Sequence, residues 1–257
     1  MNIRPGLFPL AAVFLVANQL WGDVLISEST VGAAGRHRVE GTRITMIKGL
    51  KMRVEAKVGK DVVVVLYDAA ACQEISLNSR KREARIRKFS ELREAAERSV
   101  PKERVTSSIA PTGGREDVGG KSCDENAFTI RVPILKDGGP VLVMTGKACV
   151  AKDVAGAEEY SAFALAADKE GLVLGFTSSN PVFVALARAE TTVYRIVAEL
   201  GGIPLKLERN IRFEGGFLAA LLNRSAGTRS SQVISVSVDS LPPEEFGIPA
   251  GWKSVGK

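Results

Sequence analysis

Residues 52–67 read MRVEAKVGKDVVVVLY and carry the clearest structural pattern in the chain. Apolar and charged residues alternate over 52–56, which is the period of a β-strand with one buried face. Residues 59–61 form a turn into 62–67, and this continuous apolar run is typical of a central strand buried on both faces. The segment therefore predicts an antiparallel β-hairpin within a larger sheet.

The same two-residue period continues on both sides of this hairpin. It predicts further strands over residues 23–31, 38–47, 72–77, 126–135, 140–150, 203–213 and 232–238. Capping residues, helical periodicity and terminating Gly or Pro residues predict helices over 91–99, 157–168 and 181–200. This order of elements implies an α+β domain in which an antiparallel sheet curls around helices.

The first 22 residues are organised like a secretory signal peptide. Arg4 supplies a positive amino end, residues 7–17 are uncharged and apolar, and a more polar tail ends at Gly22. The alternatives are a membrane anchor and a buried N-terminal helix, but a span needs about 20 apolar residues and this run is roughly half that length. We expect cleavage after Gly22, a single β-rich domain over 23–257 without a transmembrane span, and a periplasmic or secreted location.

Basic residues concentrate in one part of the chain. The formal net charge is +6, and Arg4 is the single charged side chain in the signal segment, so cleavage removes one positive charge. Outside the cytoplasm, a basic cluster suits an anionic lipid head group or an acidic polymer better than nucleic acid, which we do not expect as a partner. The alternative is a solvated strand face, because a charge run with few aromatic neighbours usually means only that. The cluster consists of Arg80, Lys81, Arg82, Arg85, Arg87 and Lys88.

The three cysteines allow one disulfide. Cys123 and Cys149 flank two predicted strands that are joined by residues 136–139, whose Asp-Gly pair is a strong hairpin signal. The ends of such a hairpin come together, so a bond between Cys123 and Cys149 is one hypothesis for an oxidising compartment. Cys72 is then unpaired or bonded to another molecule. We interpret it as a small buried apolar side chain rather than as a nucleophile.

The sequence lacks the residue patterns of common catalytic sites. His37 is the only histidine, and no base or metal-binding partner can be assigned to it. The glycine pairs at 113–114 and 119–120 lack the Lys-Ser/Thr of a phosphate-binding loop and are interpreted as loop glycines. A Gly-x-Ser-x-Gly nucleophile elbow is also missing. We therefore expect a non-enzymatic protein without a cofactor or metal.

Three short motifs carry a family resemblance: IKGLKMRV at 47–54, GGKSC at 119–123 and FGIPAGWKSV at 246–255. Through them the chain resembles an uncharacterised family of exported bacterial domains, which is similar in outline to the periplasmic lipoprotein carriers of the LolA and LolB type. The resemblance implies an open antiparallel β half-barrel, with helices packed as a lid or plug over an apolar cavity for acyl chains. The chain departs from the pattern where Cys123 is followed by Asp124 and Glu125 rather than by tyrosine.

Two functions of different class are compatible with these patterns. The first is a non-enzymatic periplasmic protein that binds a lipid or another apolar ligand in a half-barrel cavity. The second is an envelope protein-interaction module that uses the basic strand or an exposed sheet edge. A continuous apolar cavity in the folded sheet favours the first function, whereas a barrel filled with side chains weakens it.

Overall fold

The computed structural model describes residues 22–34, 37–134, 139–176, 178–224 and 226–256. The predicted signal segment lies outside the described residues except for Gly22. Residues 136–138 of the predicted hairpin turn also lie outside them, although the two strands on either side are described.

Within these ranges the chain forms one sheet of twelve strands, ordered β12-β6-β5-β4-β3-β2-β1-β11-β10-β9-β8-β7. Neighbouring strands are antiparallel except β6 and β12, which pair in parallel. The sheet is open, with β12 and β7 at its two edges. The strands are β1 (Asp23–Ala34), β2 (His37–Lys48), β3 (Lys51–Val58), β4 (Asp61–Asp68), β5 (Gln73–Asn78), β6 (Glu83–Lys88), β7 (Thr106–Val118), β8 (Lys121–Pro133), β9 (Val141–Ala151), β10 (Ile203–Glu214), β11 (Gly227–Asp239) and β12 (Lys253–Val255).

The first strand of the sheet lies at its centre. β1 pairs with β2 on one side and with β11 on the other, from Asp23 opposite Asp239 to Ala34 opposite Gly227. This pairing joins the meander β1–β6 to the strands from the second half of the chain.

The described residues also form four α-helices: α1 (Phe89–Ser99), α2 (Ala157–Lys169), α3 (Pro181–Glu199) and α4 (Gly216–Leu222). The longest of them, α3, has clear start and stop signals. The Asn180 side chain accepts a hydrogen bond from the Val182 N–H at 3.0 Å, and Pro181 occupies the first turn. Gly201, with φ 76°, follows the end of the helix. Among the described helices, none combines the length and the apolar character needed to cross a membrane.

The main core lies between the inner face of the sheet and helices α1 to α3. Its largest fully buried side chains include Phe89 of α1, Phe163 of α2 and Met144 of β9. A smaller apolar cluster lies on the opposite face of β4 to β6, because side chains alternate across a strand. It contains Leu66, Ile75 and Ala84, with Ile248 of the C-terminal segment packed against them.

The predicted α+β architecture, an open antiparallel sheet with packed helices, is confirmed. Two details of the prediction are wrong. The glycines at 113–114, interpreted as loop glycines, lie within β7, whose bulge accommodates them. The run at 62–67 is also not buried throughout. Val62 and Val63 are exposed, whereas Leu66 and Tyr67 are buried. The physical reason is that the two apolar clusters reach only the second half of β4.

Candidate ligand-binding site

Strand register determines which side chains face the helices. On β10, the buried positions Leu207, Arg209, Ile211 and Phe213 recur at every second residue. Directly opposite residues in an antiparallel pair lie on the same face of the sheet. Because of this, the partners of these four residues on β9 also face inward: Ala148, Gly146, Met144 and Leu142.

Two adjoining cavities lie between this inner face and α3. Their volumes are 790 Å³ and 560 Å³, and both fall in the range of about 300–1,000 Å³ that is usual for small-molecule sites. The cavities adjoin along α3 because they share six lining residues: Thr30, Val58, Phe183, Leu186, Arg209 and Arg229.

The two cavities differ in their remaining lining. The larger one adds mainly aliphatic and aromatic side chains from the sheet and the second half of the chain, among them Val31, Val39, Ile211, Phe213 and Leu222. The smaller one extends deeper along α3 and adds Met52, Val54, Tyr67, Tyr160, Leu174, Val193, Tyr194 and Val197. Both spaces are therefore lined largely by apolar groups with a few polar side chains among them.

The larger cavity opens to solvent at a rim of exposed apolar residues. Phe183, Val39 and Val58 line it, yet they are 52%, 47% and 44% exposed. Exposed apolar groups that continue into a groove are typical of ligand-binding openings. This rim provides an entry path for an apolar molecule.

Helix α3 is held in place from the side facing away from the cavities. Arg188 is buried and forms an ion pair with Glu97 of α1. The Thr191 hydroxyl accepts a hydrogen bond from the Leu174 N–H at 2.8 Å. On the cavity side, the helix presents Phe183, Leu186, Glu190, Tyr194 and Val197, which follow the three- and four-residue spacing of one helix face.

Three groups of charged residues also lie on the inner face. In two of them an arginine and a glutamate on neighbouring strands neutralise each other. Glu28 lies directly opposite Arg43, and the guanidinium donates two hydrogen bonds to the carboxylate at 2.6 and 2.9 Å. Glu74 lies directly opposite Arg87, and these two residues also form an ion pair. Burial raises the pKa of Glu74 despite the opposing effect of Arg87.

In the third group, the positive charges outnumber the negative ones. Arg209 of β10 lies directly opposite Arg229 of β11, so two like charges are neighbours on the inner face. One carboxylate faces them: Glu190 of α3 lies 2.7 Å from Arg209 and 3.6 Å from Arg229. The set therefore carries one excess positive charge.

A pair of tyrosines lines the smaller cavity. The rings of Tyr160 and Tyr194 meet edge to face with centroids 5.1 Å apart, and the Tyr194 hydroxyl donates a hydrogen bond to the Met52 sulfur at 3.4 Å. Burial raises the pKa of both phenols, so they are neutral donors at physiological pH. They add hydrogen-bonding capacity to the cavity wall without adding charge.

The basic residues singled out from the sequence do not line either cavity. Arg80, Lys81 and Arg82 form the exposed turn between β5 and β6, while Arg85 and Lys88 are exposed on β6. Arg87 is different, because Glu74 and the carbonyl of Phe176, at 2.9 Å, occupy its guanidinium. Five of the six residues thus remain accessible to a partner, and the anionic-partner hypothesis stays a prediction.

The structure joins Cys123 of β8 and Cys149 of β9 by a disulfide, with the two Cα atoms 5.2 Å apart. Cys72 keeps a free thiol. Desolvation and the neighbouring Glu170 carboxylate raise the pKa of this thiol, so it is a poor nucleophile at neutral pH.

The inner-face charges were not identified as site residues from the sequence, although a signal for one of them exists. Residues 205–213 alternate as an apolar strand face, and Arg209 is the charged residue at an otherwise apolar position. Likewise Glu190 falls within the apolar stripe of α3. Among the described residues, we find no group of three or more His, Cys, Asp or Glu side chains placed to hold a metal ion.

Comparison with known proteins gives a likeness of fold only. No protein-family model matches the chain, and no curated protein matches it. Among solved structures, the chain is similar to PNGF-II at a TM-score of 0.39 and 8% identity; the match covers 92% of this chain but 31% of PNGF-II.

Two further solved structures show low similarity to the chain. One is a domain assigned to the outer membrane lipoprotein-sorting proteins from Vibrio parahaemolyticus, at a TM-score of 0.32 and 6% identity, with 89% and 90% of the two chains covered. The other is a LolA superfamily protein from Nitrosomonas europaea, at a TM-score of 0.31 and 8% identity, with 89% and 91% covered. In outline, the chain is similar to these LolA-type structures. At these values the likeness says nothing about ligand, partner or activity.

Proposed function

We propose that this protein is a non-enzymatic periplasmic binding protein that holds a lipid or another apolar ligand in its half-barrel cavity. The observation that carries the proposal is the pair of adjoining, largely apolar cavities along α3. Both spaces are clefts open to solvent, and concave, mostly apolar clefts of this size are the usual form of a small-molecule site.

The solvent-exposed rim supports uptake rather than permanent enclosure. A ligand entering past Phe183 meets Leu186 next, and this side chain lines both cavities. Burying apolar ligand surface against such side chains contributes about 25 cal/mol per Å². The periplasmic location in this proposal comes from the predicted export signal. N-terminal sequencing of the protein recovered from the periplasm tests cleavage after Gly22.

The direct test is native mass spectrometry of protein purified from the periplasm, combined with titration of the uncharged fluorescent probe N-phenyl-1-naphthylamine. We expect a co-purified lipid mass, or saturable probe binding that a long-chain alcohol reverses. Failure of both measurements on folded protein overturns the proposal.

A cavity-filling variant locates the binding site. Leu186→Trp places an indole where the two cavities adjoin, so we expect probe affinity to fall at least about tenfold, because the ligand and the added ring compete for one volume. Leu165→Trp adds the same ring at an exposed position on α2 and serves as the matched control. Equal affinities for the two variants would place the probe elsewhere on the protein.

One observation supports the second function, an envelope interaction module. β7 pairs with β8 on one side only, so it offers an open sheet edge within the described part of the chain. The bulge between Pro111 and Arg115 interrupts that edge. At the other end of the sheet, β12 pairs with the edge of basic strand β6 that does not pair with β5. A triple reversal of Arg80, Arg82 and Arg85 to Glu is expected to abolish partner capture, with an unchanged fold, if the basic hairpin is the interface.

A further inference from the structure

Two arginines lie side by side in the wall of the proposed ligand cavity. The β10–β11 register places Arg209 directly opposite Arg229, and both residues line the larger and the smaller cavity. Like charges directly opposite each other destabilise a sheet. Two other arginines on this face, Arg43 and Arg87, each lie opposite a glutamate, namely Glu28 and Glu74.

The hydrogen-bonding capacity of this pair is not used up by the protein. Arg209 is 9% exposed, and its Nε has no hydrogen-bond partner although the atom is buried. A buried N–H without a partner costs about 1–3 kcal/mol. Its Nη1 bonds Glu190 at 2.7 Å, whereas Arg229 lies 3.6 Å from the same carboxylate, which is too far for a hydrogen bond. Oε1 of Glu190 is also buried without a hydrogen-bond partner.

The charges around the pair leave one positive charge uncompensated. Arg43 is neutralised by its two hydrogen bonds to Glu28, and the single carboxylate of Glu190 serves both Arg209 and Arg229. Guanidinium groups bind carboxylates and phosphates through parallel N–H donors. In a partly desolvated cavity such a contact is stronger than on an open surface.

We propose that the ligand is an amphiphile with an anionic head group, and that Arg209 and Arg229 bind this head group where the two cavities meet. This inference rests on the proposed function, since it specifies the ligand of the same cavity. The acyl part of the ligand lies along the apolar wall of α3, and the head group adds the negative charge that the arginine pair lacks. Carboxylate and phosphate head groups share this chemistry.

A head-group series with one constant chain tests the inference. Hexadecanoate, hexadecyl phosphate and hexadecanol are titrated as competitors of N-phenyl-1-naphthylamine on the periplasmic protein. We expect at least one anionic compound to bind about tenfold more tightly than the alcohol, and the tighter of the two identifies the head group. Equal affinities of both anions and the alcohol overturn the inference but leave the proposed function standing. If none of the three compounds displaces the probe, the inference is overturned, whereas the proposed function still depends on the co-purified lipid mass and on probe binding itself.

Two variants with opposite expected effects separate recognition from general damage. Arg229→Gln removes one guanidinium at a half-exposed position, so the preference for the anion is expected to fall about tenfold while hexadecanol affinity stays constant. Glu190→Gln removes the competing carboxylate, so the same preference is expected to rise. Arg212→Gln, on the outer face of β10, is the charge-matched control and leaves the preference unchanged. A preference that survives Arg229→Gln overturns the inference.

Discussion

At the residue scale, Gly146 is the position where the inner face has least room. A Cβ atom there would lie 1.9 Å from the Glu208 carbonyl oxygen and 2.6 Å from Cζ of Phe128. Gly146→Ala is therefore expected to lower the free energy of unfolding by about 1–3 kcal/mol, because a backbone strand and a buried ring must both move. Urea denaturation measures the change.

Gly32→Ala is the matched control for this prediction. Gly32 also lies in a strand, and the nearest atom to its added Cβ is 4.0 Å away. We expect a change within about 0.5 kcal/mol. Equal effects of the two substitutions would contradict a steric cause at Gly146.

The Glu74–Arg87 pair predicts a pH-dependent variant. Glu74 is 2% exposed, and burial already raises its pKa while Arg87 opposes the shift. Arg87→Met removes that opposition, so the pKa of Glu74 rises further above its unfolded value. A raised folded-state pKa favours folding at low pH, and this advantage is lost as the pH rises through it. The stability deficit of the variant is therefore expected to be larger near pH 8 than near pH 5.

Arg85→Met, on the same strand but exposed, is the control for this pH series. Its difference from the parent protein is expected to stay within about 0.5 kcal/mol at both pH values. A deficit of Arg87→Met that does not change with pH would mean that Glu74 is not the group responsible. Chemical denaturation at the two pH values provides the measurement.

The site was less predictable from sequence than the strands that form it. Alternation identifies 203–213 as a strand with one buried face, and it places Arg209 on that face. It does not reveal that Arg229 is the direct neighbour, since that depends on the pairing of β10 with β11. Predicting that Glu190 pairs with Arg209 likewise requires the position of α3 over the sheet. Which residues of two distant strands lie opposite each other is set by tertiary packing, and local periodicity does not predict it.

At the element scale, the disulfide links two adjacent strands of the second sheet half. With Cys123 bonded to Cys149, one thiol, that of Cys72, is expected to react when protein purified without reductant is denatured. Three reactive thiols would contradict the bond. Replacing both paired cysteines with serine is expected to cost about 2–4 kcal/mol of stability.

Local signals predicted most elements and missed those with unusual residues. The helices at 157–169 and 181–199 follow the predicted segments closely, because Asn180 and Pro181 mark the start of α3 and a glycine follows the end of each helix. β7 was missed because Pro111 and the glycines at 113–114 are typical of loops, and the structure accommodates them in a bulged edge strand. The seven-residue helix α4 is too short to show a period.

At the scale of the whole molecule, the C-terminal segment covers the outer face of the sheet. Ile248 packs against the outer apolar cluster, and β12 pairs with β6. A chain that ends after Gly247 is expected to lose about 1.5–3 kcal/mol of stability and to bind more of an apolar dye, because it uncovers that cluster. A chain that ends after Trp252 keeps Ile248 and removes only the strand pairing. Equal dye binding by both truncated chains would contradict a covering role for Ile248.

The central position of β1 has a consequence for the kinetics of folding. Its neighbour β11 lies about two hundred residues later in the chain, with Asp23 opposite Asp239. Contacts of such large sequence separation slow folding, because the entropy of a long loop is lost before the contact stabilises anything. During synthesis, β1 therefore presents an unpaired edge until the last strands of the sheet emerge, and this growing chain is the form most exposed to aggregation.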